Sequence, residues 1–149
     1  MRTQVVDEIT SELDSILGTM KPSARRKLAK ELALMLRGEM SAAILANKEP
    51  DGSAMAPRLS QRSRKAKTGK MFKKLGMRRS MKVRQSARSA SVEFQPKNAR
   101  IAAVHHFGLT SRVNKHGTTA KYISRELLGF NDPLEEKIST AIINHIAGE

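Results

Sequence analysis

Residues 22–46, PSARRKLAKELALMLRGEMSAAILA, set the architecture. Leu28, Leu32, Met35, Leu36, Met40, Ala43 and Ile44 fall on one stripe at helical spacing, with charges on the opposite side. Pro22 suits the first turn, where its missing N–H costs nothing. The spacing predicts one long helix from Pro22 to about residue 46. A Leu/Met stripe of this kind is core-forming and carries no function of its own. The helix stops at Glu49-Pro50-Asp51-Gly52, which supplies turn chemistry and a position tolerant of positive φ.

Before this helix, Val5, Val6, Ile9, Leu13, Ile16 and Leu17 also recur at helical spacing, and Gly18 stands where a C-terminal cap belongs. Downstream the period changes. In residues 81–94, MKVRQSARSASVEF, Met81 and Val83, then Val92 and Phe94, alternate with polar residues around a turn from Gln85 to Ser89. That is a β-hairpin pattern. Residues 100–107 fit a strand through Ile101, Ala103 and Phe107, or a short helix through Ile101, Val104 and His105. Asp132, Pro133 and Glu135 read as a helix start, with Leu134, Ile138, Ala141, Ile142 and Ile146 down one face to Gly148. Helices flanking a small antiparallel sheet make an α+β fold. With 149 residues, one domain is expected over the whole chain.

The net charge is +14, and it is concentrated. Residues 1–57 hold eight basic and eight acidic residues, and residues 89–149 hold seven and six. The excess is therefore Arg58, Arg62, Arg64, Lys65, Lys67, Lys70, Lys73, Lys74, Arg78, Arg79, Lys82, Arg84 and Arg88, a run with no carboxylate between Asp51 and Glu93. A block of one sign resists compaction until something anionic meets it. It predicts an extended basic arm over about residues 57–80, in which Met71, Phe72 and Leu75 anchor on a neighbouring subunit while the charges meet an acidic surface or DNA.

Catalytic signatures are missing. Thr68-Gly69-Lys70 lacks the upstream glycine of a phosphate loop, since Arg64 stands there, and Met71 replaces the metal-binding hydroxyl residue. His105 and His106 are adjacent, His116 and His145 are remote, and there is no cysteine for a thiolate site or disulfide. No Gly-x-Ser-x-Gly elbow occurs. Neither a metal nor a cofactor is expected, nor enzymatic activity. His105 reads as a core histidine, and residues 125–130 as a buried turn that closes the core. No apolar run approaches the ~18 residues of a membrane span, and the acidic N-terminal residues are unlike a secretory signal, so a soluble protein is expected.

Taken together, Glu49-Pro50-Asp51-Gly52 with Pro57-Arg58, Lys70-Met71-Phe72-Lys73-Lys74-Leu75, Arg79-Ser80-Met81-Lys82, residues 100–109 (RIAAVHHFGL) with Arg112-Val113, and Tyr122 with Arg125-Glu126-Leu127-Leu128-Gly129-Phe130 resemble the phage virion morphogenesis family. These are tail completion proteins of contractile-tailed temperate phages. The resemblance runs in order along essentially the whole chain, and His105, Gly108, Arg125, Leu127, Leu128 and Gly129 carry much of it. It implies a structural protein acting late in assembly at the head-proximal end of the tail. It further implies rings, usually sixfold, with the tail tube, sheath or terminator and the neck or connector proteins as partners. The chain departs from the family pattern at Ile123-Ser124, where a proline is common, and at His106, where glutamine is usual. A sequence-independent nucleic-acid-binding module is the alternative reading, with lumenal DNA as the ligand.

Overall fold

The computed structural model describes residues 15–58 and 70–148. Most of the first expected helix lies outside them. Residues 15–19 are helical, so Gly18 sits within the last turn rather than capping it. That turn closes where Met20 N donates to Leu17 O and the Thr19 hydroxyl to Ile16 O.

Helix α1 (Pro22–Leu45) is the spine, roughly 36 Å long at 1.5 Å per residue. It buries Leu28, Ala29, Ala33, Leu36, Met40 and Ile44, close to the expected stripe, with Leu32, Met35 and Ala43 at its margins. It ends in a Schellman motif: Lys48 N donates to Ala43 O and Asn47 N to Ile44 O, with Asn47 in the left-handed region at φ 52°.

The hairpin forms as expected, β1 (Met81–Gln85) pairing antiparallel with β2 (Ala90–Phe94) in the register Met81↔Phe94, Val83↔Val92, Gln85↔Ala90. Ser86 Oγ accepts from Arg88 N and Ser89 N at the turn. Both strands lie against α1. Residues 100–107 belong to helix α3 (Pro96–Phe107), which resolves the ambiguity in favour of the helix. Pro96 presets its opening turn, and Gly108, at φ 66°, terminates it. The buried residues are Ala102 and Val104, whereas Ile101 points outward. A second hairpin was not evident from the sequence: β3 (Thr110–Arg112) pairs with β4 (Thr119–Lys121) as a separate two-stranded sheet.

Helix α4 (Asp132–Ala147) closes the fold. Its N-cap is Asn131, not Asp132, with Oδ1 accepting from Leu134 N at 2.8 Å. Asn131 also donates from Nδ2 to Pro50 O at 2.6 Å, and that second bond selects it over its neighbour. Asp132 and Glu135 then occupy the first turn, where carboxylates suit the helix dipole. Of the expected apolar face Leu134 is buried, Ile138, Ala141 and Ile142 are half-buried, and Ile146 is exposed. Replacing Asn131 with alanine is expected to cost about 1–2 kcal/mol in urea unfolding, the upper end reflecting the added bond to Pro50.

The core interleaves Leu36, Met40 and Ile44 of α1 with Met55, Met71, Leu75, Met81, Ala102, Leu127 and Leu134. In a chain with four Phe, one Tyr and no Trp, Met and Leu do the filling. Met71 and Leu75 belong to the segment expected to be an extended arm, so residues 70–80 require a correction. They fold as a turn, the short helix α2 (Lys73–Gly76) and a 3₁₀ turn (Arg78–Ser80) against α1. Burial of apolar side chains outweighs charge repulsion because the cations all point outward.

Candidate functional site

The basic run divides at residue 70. Arg62, Arg64, Lys65 and Lys67 lie outside the described residues. Lys70, Lys73, Lys74, Arg78 and Arg79 are exposed on the α2 surface, continued by Lys82, Arg84 and Arg88 on the first hairpin. Phe72 is half-buried, and Met71 and Leu75 are buried within their own subunit, so the latter two cannot anchor on a neighbour as expected. Arg84 pairs with Glu93 at 2.6 Å.

The geometry holds the two ends of residues 59–69 against the core. Asn47 makes a two-bond amide pairing with Met71: Nδ2 donates to Met71 O and Oδ1 accepts from Met71 N, each at 2.9 Å. Arg58 donates from Nη2 to Lys70 O at 3.3 Å. Ser41 Oγ donates to Gly76 O at 2.6 Å, pinning α2 to α1. Linear reading missed Asn47; its one signal is an asparagine just beyond a long helix, where left-handed backbone is common.

The residues that carry the family resemblance converge on the other side of that root. Arg125 is 5% exposed, although it lies in a polar stretch. Its Nε donates to Ala56 O at 2.6 Å, its Nη2 to Pro57 O at 2.7 Å, and its backbone N to His105 O at 2.8 Å. Burial pushes its pKa below the usual arginine value; Glu49 opposes the shift and Arg58 adds to it. Leu127 enters the core, Leu128 packs at its edge, and Gly129 sits against Pro50, where a Cβ would lie 2.7 Å from Pro50 Cγ. Leu127 N donates to His106 Nδ1 at 3.1 Å, and Ser124 Oγ to His106 O at 2.8 Å. Of the expected turn over residues 125–130, Arg125, Leu127 and Leu128 close the core, but Phe130 is exposed.

His105 lies between Phe72 and Tyr122, each ring centroid 4.8 Å away and edge-on. Its Nδ1 is buried without a hydrogen-bond partner among the described residues. Burial, with the Arg125 charge as a lesser contributor, lowers its pKa from the ordinary 6.5. The imidazole is therefore neutral at pH 7, as suits a packing residue. Unfolding frees it to bind a proton below about pH 6.5, so stability is complete above that pH and falls as the solution is acidified. A urea-midpoint series from pH 7.5 to 5 is expected to decline less steeply for His105→Phe than for the wild type; parallel curves would assign the acid sensitivity elsewhere.

Among the described residues no three His, Cys, Asp or Glu side chains come together to hold a metal. A cavity of about 380 Å³ between α1, the first hairpin turn and α4 is lined by apolar groups with Arg25 and Arg88, and has no carboxylate or imidazole in its wall. No described helix is long and apolar enough to cross a membrane.

Tail completion protein S of Escherichia phage P2 is 40% identical over 139 residues, covering 90% of this chain and 92% of that protein. No solved structure matches significantly. The family model for phage virion morphogenesis proteins matches residues 4–147, a span that takes in the whole α1 spine, the root of the basic segment and the Arg125 fork. The chain belongs to the phage virion morphogenesis family.

Proposed function

We propose that this protein is a structural, non-catalytic component that completes the phage tail at its head-proximal end, where copies close into a ring and present their basic surfaces to the tail and neck. The observation that carries the reading is the exposed surface of Lys70, Lys73, Lys74, Arg78 and Arg79, part of a run of 13 cations without a carboxylate over residues 58–88, on a root that Asn47 ties to the core. A cationic surface on a folded root suits docking to an acidic partner. The tail completion role of the P2 relative supports it. Around the tail tube the ring meets tube, sheath or terminator proteins on one side and connector proteins on the other.

Complementation of a phage lacking the protein tests the reading by electron microscopy. Wild type is expected to restore joined, infectious particles. A variant with Lys73, Lys74, Arg78 and Arg79 changed to glutamine is expected to leave unjoined tails while folding normally. Normal particles from the variant would remove the basic surface from the mechanism. Tight duplex binding by the purified protein, with a log–log salt slope of about −5 or steeper, would instead favour the nucleic-acid module.

A further inference from the structure

The second hairpin is unfinished as it stands in one chain. Neither β3 nor β4 has a third strand beside it among the described residues, and a lone two-stranded ribbon is marginal in water. The pairing continues beyond the strands, with Tyr122 N donating to Leu109 O and Val113 N to Thr118 O. This places Leu109, Ser111 and Val113 along one face, with Leu109 46% and Val113 54% exposed. The ribbon is also strongly cationic. No carboxylate occurs between Glu93 and Glu126, and Arg112, Lys115 and Lys121 are exposed and unpaired.

A complementary surface lies on the same chain, and no described ion pair joins it to the ribbon. The described ion pairs are Arg84–Glu93, Lys137–Glu39 and His145–Glu31. Asp132 and Glu136 of α4 are exposed and join none of them. Ile143, two turns beyond Glu136 on the same helical face, is 62% exposed. This stripe points away from Leu134, the residue that fastens α4 to the core. The acids at the start of α4 match the ribbon face that carries Arg112 and Lys121, which the register places opposite the Leu109 and Val113 face. Two unlike, complementary patches that no described ion pair joins within one subunit suit a head-to-tail contact.

We infer that the β3–β4 ribbon of one copy docks on the outward Asp132–Glu136–Ile143 face of α4 in the next copy. This rests on the ring reading above and supplies its seam.

Charge exchange tests it on the full-length protein by sedimentation velocity, with thermal melts to confirm folding. Arg112→Glu with Lys121→Glu reverses the ribbon, and Asp132→Lys with Glu136→Lys reverses the helix. Each double variant is expected to self-associate about tenfold or more weakly than wild type, because attraction becomes repulsion. An equimolar mixture of the two is expected to recover assembly, as is the chain carrying all four changes. Wild-type assembly by both double variants would overturn this seam and leave the ring reading standing. Double variants that assemble normally in solution but fail to enter tails would place the ribbon against another tail protein, which also overturns the seam. A wild-type protein monomeric at every concentration and in finished tails would overturn both.

Discussion

Arg125→Ala is expected to lower the unfolding free energy by about 3–5 kcal/mol, because two charge-assisted hydrogen bonds vanish at once and each is worth roughly 1.5–3 kcal/mol. The guanidinium spans Ala56 O and Pro57 O from a buried position, and no other described side chain donates to those carbonyls. Lysine keeps the charge but not the planar fork, so Arg125→Lys is expected to recover less than half of the loss. Urea denaturation measures both. The consequence reaches beyond stability: residues 56 and 57 lead directly into Arg58 and the basic segment, so loosening the fork frees one end of that root. Tail completion by Arg125→Ala is therefore expected to fail at a lower temperature than with wild type. A loss under about 1 kcal/mol would show that the fork is incidental.

Gly108→Ala is expected to cost about 3 kcal/mol, combining the penalty for a side chain in left-handed backbone with a steric clash. Gly108 has φ 66°, and a Cβ there would lie 2.9 Å from Ser124 N and 3.0 Å from Tyr122 O. Both neighbours are backbone atoms, so the contact cannot be relieved by a rotamer change. The strand leading to Arg125 would have to move away from the end of α3. Because Arg125 N donates to His105 O in this crossing, the same substitution disturbs the fork from the other end. Deuterium exchange at Arg125 N is expected to accelerate in Gly108→Ala; unchanged exchange with full stability would sink the account.

The sequence discloses those parts of the fold whose signals are local. The Leu28-to-Ile44 stripe marks α1, and the alternation of Met81, Val83, Val92 and Phe94 marks the first hairpin, because a 3.6 or 2.0 period is written into consecutive residues. Residues 100–107 stay ambiguous by period, and what decides them is the pair of end signals, Pro96 and Gly108. The basic segment misleads for a different reason. Charge density argues for an arm, but Met71 and Leu75 are four residues apart and fill a gap beside Ile44 and Met81 that only the tertiary structure creates. Asn47 and Arg125 are the least legible of all. Their bonds reach Met71, Ala56 and Pro57 across 24, 69 and 68 positions, and no local pattern encodes such distances. The resemblance to a family pointed to Arg125; only the structure says what it holds.

Fastening the chain to the scaffold on both sides of residues 59–69, through the Arg125 fork at Ala56 and Pro57 and through Asn47 at Met71, insulates folding from the intervening segment. Doubling such a stretch adds only about 0.6 kcal/mol of closure entropy. An epitope tag spliced between Arg62 and Lys67 is therefore expected to leave the melting temperature nearly unchanged.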